Sequence, residues 1–361
     1  MLKNTLTSLL LFCSVLVFGQ CPNQILILGS QNEIDAFPSN YPNCTELTRS
    51  LIIGIGSGSQ TITNLDGLSQ ITSIGLVQNA SDDRLSINFT ENLMSLQGLN
   101  GLEFVEGLAI SGTGITNFSG LENLTIINGG LDIHENYNLI NFEGLSSLEI
   151  VDGSFQVGSN ALLVNFEGIG DLISTINGPG DIVIGDNPSL LNLQGLEGWQ
   201  ESRNFSIYNN AVLNSIVAIE NLEHLNAATV ININDNPNMS NCAVNFVCES
   251  FSNPNIFRVI SNNNSGCNSE QEVENNCLLS LTDEELQESV TLYPNPVNKL
   301  LQIEISNNIN IERIIVSSIL GEKLISVEKR NALDFSNLKT GTYLVKIITS
   351  QGEITKMIIK K

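Results

Sequence analysis

Residues 131–136 read LDIHEN, in which Leu131 and Ile133 alternate with polar residues ahead of Asn136. Alternation over so few positions is typical of one short β-strand that buries every second side chain. The sequence therefore predicts a strand here, with Leu131 and Ile133 pointing inward. The same pattern returns four times, as FQVGSN at 155–160, IVIGDN at 182–187, FSIYNN at 205–210 and ININDN at 231–236.

A glycine motif follows the strand pattern and sets the length of the repeat. Eight residues after Asn136, Gly144 closes the sequence Asn-Phe-Glu-Gly. Equivalent glycines are spaced by 31, 22, 24, 24 and 27 residues, and a last step of 23 leads to Ala218. A period near 24 residues is typical of stacked repeats, because each unit is too small to enclose a core alone. These glycines are Gly67, Gly98, Gly120, Gly144, Gly168 and Gly195.

The recurring asparagines and glycines have structural explanations. An asparagine turned into the corner after a strand satisfies backbone amides and carbonyls that the strand leaves unpaired. A glycine at a corner suits a positive φ angle or a close approach of neighbouring repeats. We therefore expect both residue types to shape the repeat rather than to contact a ligand.

This pattern resembles leucine-rich repeats, and more closely the receptor L-domain type of right-handed solenoid. The resemblance covers about residues 21–278 and implies stacked coils whose strands form one continuous sheet. It implies binding without naming a ligand, because one fold carries many functions. The fold class predicted for this part is mostly β, a right-handed leucine-rich-repeat-like solenoid with disulfide-bonded caps.

Of the seven cysteines, Cys13 lies in the predicted signal peptide, and the other six lie at the two ends of the repeat region with none inside it. An even number in an exported chain is typical of disulfides, whereas a metal site usually shows a C-x-x-C pair, which this sequence lacks. A bond between Cys21 and Cys44 would close a front cap and contribute roughly 3 kcal/mol. The other four permit three pairings, among which the sequence does not choose. We favour Cys242–Cys267 and Cys248–Cys277.

Helices are predicted in both caps, where a stack of repeats exposes apolar surface. Residues 30–33, SQNE, fit a capping box and predict a short helix through Phe37. Residues 241–251 predict a second helix. Residues 269–272, SEQE, fit another capping box, which opens a helix that ends at Cys277.

Residues 1–19 have the features of a signal peptide. Lys3 supplies the positive start, Leu9–Phe18 the apolar stretch, and Val17 and Gly19 the small residues before the cleavage point. Elsewhere no apolar run reaches about 18 residues, so we expect no transmembrane segment.

Charge divides the chain near residue 292. Residues 21–292 have 32 acidic and four basic residues, a net charge of 4 − 32 = −28, whereas residues 293–361 have 10 − 6 = +4. Because a strongly acidic body repels phosphate backbones, we expect no nucleic-acid partner. The body is predicted to span residues 20–278, and an acidic linker follows at 279–291.

The tail begins with YPNPV at residues 293–297, continues in short β-like runs and ends in two lysines. This arrangement resembles the type A C-terminal sorting domain of the type IX secretion system, with which certain Gram-negative bacteria export proteins. The resemblance implies recognition by the outer-membrane machinery and a secreted or surface location. Alternating apolar residues with glycine at turns predict a small antiparallel β-sandwich over residues 292–361. The residues that carry the motif are Tyr293, Pro294, Asn295, Pro296, Gly321, Gly341 and Tyr343.

No catalytic constellation, cofactor motif or metal site stands out. The sequence lacks G-x-S-x-G and H-E-x-x-H, and acidic residues such as Glu122, Glu143 and Glu167 occupy outward positions of the repeat. The alternative is a carbohydrate-active enzyme, a polysaccharide lyase or hydrolase, on a β-helix, since such chemistry needs only a carboxylate pair or a base with a cationic helper. A third possible function is that of a passive structural element of the cell surface.

A binding site is best placed on the outward side of the stacked strands, which form a rigid continuous surface. The sequence thus predicts an exported, non-catalytic binding or adhesion module. Because a sugar site usually offers more aromatic faces, the ligand stays open between an extracellular protein and a glycan. The predicted binding residues are Asp132, His134, Gln156, Ser206, Tyr208, Asn232 and Asn234.

Overall fold

The signal peptide predicted over residues 1–19 lies outside the residues that the structure describes, as do Gly321 and most of the predicted linker. The computed structural model describes residues 21–56, 58–76, 83–170, 180–199, 201–222, 230–279, 289–305, 311–319, 322–349 and 352–361.

Short strands dominate the part of the chain before residue 280. The helices described there are α1 (Gln31–Asn40), α2 (Asn245–Ser250) and α3 (Glu270–Leu279), with 3-10 turns at Ser59–Thr61, Asp66–Leu68 and Val217–Ile219. The strands are β1 (Leu26–Leu28), β2 (Glu46–Leu47), β3 (Leu51–Ile53), β4 (Ser73–Ile74), β5 (Leu85–Asn88), β6 (Phe104–Val105), β7 (Leu108–Ser111), β8 (Ile126–Ile127), β9 (Leu131–His134), β10 (Ile150–Val151), β11 (Phe155–Gly158), β12 (Ile182–Gly185), β13 (Phe205–Tyr208), β14 (Val230–Asn234) and β15 (Phe257–Ser261).

Two parallel sheets are built from these strands. The ten-stranded sheet, here called the front sheet, has the order β1-β3-β5-β7-β9-β11-β12-β13-β14-β15, so each strand lies beside the next one supplied by the chain. The five-stranded sheet, here called the side sheet, has the order β10-β8-β6-β4-β2. From β2 to β11 the chain therefore alternates between the two sheets, and the predicted mostly-β architecture is confirmed.

The register of the front sheet places equivalent residues of successive repeats side by side. Leu131 lies opposite Phe155, which lies opposite Ile182, and the row continues through Phe205 to Ile231. These side chains are buried, as the alternation in the sequence predicts. Burying every second residue of every strand builds one continuous core along the stack.

Aromatic rings fill the middle of this core. The ring of Phe142 lies 4.9 Å from that of Phe118 and 5.1 Å from that of Phe166, in tilted arrangements. Trp199 is 4% exposed, and its ring meets that of Phe155 edge-on at 5.0 Å. Contacts between repeats about 24 residues apart therefore hold the repeats together, because no single repeat contains both partners.

Buried asparagines line the corner after the front strands, and we call this row the asparagine ladder. Each Nδ2 donates to a carbonyl of the preceding repeat, as from Asn187 to Val157 at 3.1 Å. Each Oδ1 accepts from the backbone of the preceding repeat, as from the amide of Asn160 to Asn187 at 3.0 Å. The structural role predicted for these residues is confirmed. The ladder comprises Asn136, Asn160, Asn187, Asn210 and Asn236, and Asn263 extends it at one end.

The motif glycines sit at a second corner, where neighbouring repeats nearly touch. Gly144 has a φ of 103°, and a Cβ atom there would lie 2.3 Å from the carbonyl oxygen of Phe118. A side chain would clash with the backbone, and the positive φ favours glycine as well. Both reasons given for glycine at this position are confirmed.

Three disulfides close the ends of the repeat region. Cys21 is bonded to Cys44 beside α1. In the back cap the structure selects one of the three open pairings, Cys242 with Cys267 and Cys248 with Cys277.

The predicted bounds of α1 are wrong by a few residues. The helix runs to Asn40 rather than Phe37, although Pro38 lies inside it, because the amide of Tyr41 still donates to the carbonyl of Phe37 at 2.8 Å. The capping box forms only in part, since Glu33 accepts from the amide of Gly29 while the Ser30 side chain accepts no capping bond.

Helix α2 begins at Asn245, so the predicted start at residue 241 is also wrong. The physical reason lies in the preceding repeat, where Ser215 forms a parallel bridge with Asn241. This pairing keeps Asn241 in the strand-like path of the stack. The helix starts only after Val244, which has extended backbone angles.

We expect the three disulfides to stabilise the body from its ends. Peptide mapping of the exported protein without reductant should show these three linked pairs and no free thiol. Reduction should lower thermal stability, by roughly 3 kcal/mol for each loop of this size, because the unfolded chain gains freedom. Two or more free thiols in exported material would contradict the prediction.

The tail has a core of its own, formed by two antiparallel sheets. One sheet has the order β16-β17-β20 and the other β19-β18-β21-β22. Strand β16 begins at Val290, which is buried in the tail core, so the tail starts slightly before the predicted residue 292. The strands are β16 (Val290–Tyr293), β17 (Leu300–Ile305), β18 (Ile311–Ser318), β19 (Lys323–Glu328), β20 (Ala332–Asp334), β21 (Gly341–Thr349) and β22 (Gly352–Lys360).

Candidate functional site

The seven residues predicted to bind a ligand lie together on the outward side of the front sheet, and all are partly exposed. The sheet register arranges them in two neighbouring rows that cross the strands from β9 to β14. The first row runs Asp132, Gln156, Val183, Ser206, Asn232. The second row runs His134, Gly158, Gly185, Tyr208, Asn234.

Two glycines in the second row give the site its shape. A Cβ atom at Gly158 would lie 2.8 Å from Cε1 and Nδ1 of His134. A Cβ atom at Gly185 would lie 2.3 Å from Cζ, 2.4 Å from Cε2 and 2.9 Å from Cε1 of Tyr208. The imidazole therefore reaches over β11 and the phenol ring over β12. The two rings thus lie above adjacent strands, which are about 4.8 Å apart.

The sequence reading missed Gly158 and Gly185, although a signal was present. A glycine inside a strand weakens it and often marks a place where another group approaches closely. Both glycines fill the fourth position of the strand pattern, which is His134 in LDIH and Tyr208 in FSIY. An alignment of the repeats shows glycine at this position in two successive strands, with His134 in the strand before them and Tyr208 in the strand after them. The alignment would have predicted room for both rings.

His134 is held in place by the residue two positions before it. Its Nε2 lies 2.8 Å from Oδ1 of Asp132. This hydrogen bond raises the pKa of His134 above its ordinary value of 6.5, with the charge of Asp132 acting the same way and burial opposing both. The carboxylates of Glu135 and Asp186 raise the pKa further. The imidazole therefore carries more positive charge near neutral pH than an isolated histidine does.

We expect the Asp132–His134 pair to contribute to stability mainly at lower pH. Because the folded-state pKa is raised, the contribution is complete below the unfolded value of 6.5 and is lost as the pH rises through the folded-state pKa. Nuclear magnetic resonance titration should place the His134 midpoint above 6.5, and Asp132→Ala should lower it. Glu135→Gln should lower it less. An unchanged midpoint in Asp132→Ala would contradict the assignment.

A polar depression of about 140 Å³ adjoins the first row at the start of the strands. Its charged lining residues are Asp83, Arg84, Glu106 and Asp132, and Gln156 lines it as well. Asp83 is 3% exposed and is fixed by Arg49, whose Nε lies 2.7 Å from its Oδ2. Since Asp132 and Gln156 belong to both features, the depression and the two rows form one continuous surface.

Two further polar atoms on this surface are buried without a partner. Among the described residues, Oδ1 of Asn232 and Oδ1 of Asn234 are shielded from solvent and accept no hydrogen bond within the protein. Buried acceptors are normally satisfied by protein, water or a ligand. Because both atoms are shielded from solvent, an outside donor reaches them only after the amide side chain turns outward.

The arrangement offers hydrogen-bonding groups and aromatic rings on one surface. Within the described ranges no three His, Cys, Asp or Glu side chains come together as a metal site. Asp132 and His134 contact each other at a partly exposed position, and the depression beside them combines both signs of charge.

In the tail, the residues of the YPNP motif contact the last strand. Nδ2 of Asn295 donates to the carbonyl of Met357 at 3.1 Å, and Oδ1 accepts from the amide of Ile359 at 2.9 Å. The peptide bonds before Pro294 and Pro296 are both cis. The motif thus pairs with the edge of β22 and joins the two ends of the tail.

Two other motif residues also have structural roles. Gly341 opens β21, and the Tyr343 hydroxyl donates to the carbonyl of Lys339 at 2.7 Å. The ring of Tyr343 packs edge-on against Phe335 at 6.0 Å in the tail core.

Comparison with known proteins identifies the tail. Residues 291–361 match the family model described as the secretion system C-terminal sorting domain. The type IX sorting domain predicted from the motif is therefore confirmed, and the chain is a secreted or surface protein delivered by that system. No curated protein matches the chain. No helix in the described part of the chain has the length and apolar character needed to cross a membrane.

Proposed function

We propose that residues 20–278 form a capped, right-handed leucine-rich-repeat-like solenoid that acts outside the cell as a non-catalytic binding or adhesion module. The chain-order pairing of the front strands, the asparagine ladder and the disulfides at both ends support this reading. The two antiparallel sheets of the tail, which share one core, support a small β-sandwich that serves export. The ligand-binding surface is the outward side of the front sheet.

One observation carries the proposal. Gly158 and Gly185 lack side chains in two adjacent strands, and the rings of His134 and Tyr208 occupy the space above them. Glycine inside a strand weakens the sheet, so stability alone favours a β-branched residue at both positions. A rigid surface with ordered rings is, in contrast, what a binding site requires.

Capture on protein and glycan arrays tests the proposal with the exported protein. The substitution Ser206→Arg places a bulky charged side chain in the middle of the front sheet and should abolish capture of the ligand. Glu143→Arg adds the same side chain at an exposed corner of the repeat and should leave capture unchanged. Capture that is equal in both variants, or no capture by the parent protein, would contradict the proposal.

The same protein should show no turnover of acidic or neutral polysaccharides. The expectation rests on the site, where the His134 imidazole contacts the Asp132 carboxylate at 2.8 Å instead of standing apart from it across a sugar bond, as the two acid–base groups of a glycosidase do. Reducing-end and unsaturated-product assays measure it directly. Reproducible turnover that disappears in Asp132→Ala would replace the binding role with an enzymatic one.

A further inference from the structure

The ring of Tyr208 lies face down on the front sheet. Three of its carbons lie within 2.9 Å of the position that a Cβ atom would take at Gly185, and the three distances fit a contact through the ring face rather than its edge. Tyr208 is partly exposed, so part of the ring is accessible to solvent while the sheet covers one face.

We infer that the front sheet binds an uncharged oligosaccharide, with one sugar ring stacked on Tyr208 and its hydroxyl groups bonded to the neighbouring rows. This inference rests on the binding role proposed above and specifies its ligand. A pyranose has an apolar face of C–H groups and a rim of hydroxyls. An exposed aromatic face beside amides and hydroxyls complements both features.

The polar groups of the first row suit hydroxyls in particular. Gln156, Ser206 and Asn232 each have both a donor and an acceptor, as a sugar hydroxyl does. Asn232 and Asn234 are partly exposed, so their amides can turn to bond such hydroxyls, and the carboxylate of Asp132 is a further acceptor. A ligand that both donates and accepts at many points therefore satisfies the surface best.

The spacing of the sheet fits a chain of sugars. Equivalent positions recur once per strand, about 4.8 Å apart, a distance close to the length of one pyranose unit in an extended chain. The rings of His134 and Tyr208 lie over adjacent strands, and the first row continues past them on both sides. An oligosaccharide laid across the strands would meet similar groups at each step.

Charge and apolar content disfavour the other ligand classes. The body has a net charge of 4 − 32 = −28 over residues 21–292, and Asp83, Glu106 and Asp132 line the depression, so an anionic polysaccharide is repelled. A protein partner usually buries a cluster of apolar anchors. Between Asp132 and Asn232 the first row offers only Val183 as an apolar side chain.

Affinity electrophoresis of the exported, disulfide-bonded full chain tests the inference. The gels contain an uncharged β-glucan, xylan or mannan, or anionic alginate, or poly-lysine as a basic peptide. We expect retardation by at least one uncharged polysaccharide and none by alginate. Titration calorimetry with the matching oligosaccharide then gives the dissociation constant for each variant.

The variants separate the ring from the rest of the surface. Tyr208→Ala should weaken binding about tenfold or more, and Tyr208→Phe should retain most of it, because the stacking face is unchanged. Gly185→Ala should also weaken binding, since its methyl group displaces the ring without removing it. Tyr137→Ala is the matched control, because Tyr137 is 60% exposed and lies just after the ladder residue Asn136, outside the front strands. Thermal unfolding confirms that each variant is folded.

The outcomes distinguish this inference from the function on which it rests. Retardation only by alginate or poly-lysine, or capture only by a protein, would overturn the sugar assignment and leave the binding role intact. Binding of an uncharged sugar with unchanged affinity in Tyr208→Ala and Gly185→Ala would overturn the assigned surface. Failure to bind any of these ligand classes would overturn both.

Discussion

Replacing Asn187 by alanine is expected to lower the free energy of unfolding of the body by about 3–5 kcal/mol. The side chain is fully buried and donates to the carbonyls of Val157 and Gly185 at 3.1 and 2.9 Å. Its Oδ1 accepts from the amide of Asn160. Alanine would leave the buried amide of Asn160 without its acceptor, at a cost of about 1–3 kcal/mol. It would also remove one bond to each carbonyl, at about 1 kcal/mol each, although the Gly185 carbonyl still accepts from the amide of Ser159 at 3.1 Å. Urea unfolding followed by circular dichroism measures the loss.

Asn192→Ala is the matched control for this substitution. Asn192 lies in the same repeat, and its Oδ1 accepts one exposed hydrogen bond, from the amide of Gln194 at 3.0 Å. Because water replaces an exposed partner, the cost should stay below about 1 kcal/mol. Equal losses for Asn187→Ala and Asn192→Ala would show that the ladder contributes no special stability.

Deleting residues 289–361 is expected to abolish delivery to the cell surface or medium while the body still folds. The tail carries the sorting domain, and its buried residues form a core separate from that of the repeats. In a host with the type IX system, the shortened protein should accumulate in the periplasm with its disulfides formed. Fractionation followed by immunoblotting measures its location.

The converse experiment moves the tail to another protein. Residues 289–361 fused to a reporter with a signal peptide should carry the reporter out, and the fusion starts at 289 because Val290 belongs to the tail core. Val345→Asp should block this export, since Val345 is fully buried and a charge there disrupts the tail. Thr355→Asp, at an exposed position of β22, is the control. Surface delivery of the shortened protein would refute the sorting role.

The front strands could be predicted because their information is local. Leu131 and Ile133 alternate with polar residues within four positions, and this alone indicates which side of β9 is buried. The ladder asparagines were likewise recognisable, because their distance from the preceding strand is constant. The start of α2 was not, since Asn241 is held by pairing with Ser215, which lies in another repeat.

The candidate site shows the same division. Its seven predicted residues follow from strand alternation, which states that Asp132 and His134 point outward together. The positions of His134 over Gly158 and of Tyr208 over Gly185 depend on the register between repeats. Alternation within one repeat gives no information about that register. The depression beside Asp132 was missed for the same reason, because Arg84, Glu106 and Gln156 come from different repeats.

The repeat period, the inward side of each front strand, the structural use of asparagine and glycine, and the export tail all follow from the sequence. Each of these depends on residue types at fixed short separations, where propensity and side-chain chemistry act directly. Only the folded chain shows that Cys242 bonds to Cys267 and Cys248 to Cys277, and that the rings of His134 and Tyr208 lie over Gly158 and Gly185. These contacts join residues more than twenty positions apart, and stacking fixes their distances only when neighbouring repeats share one core.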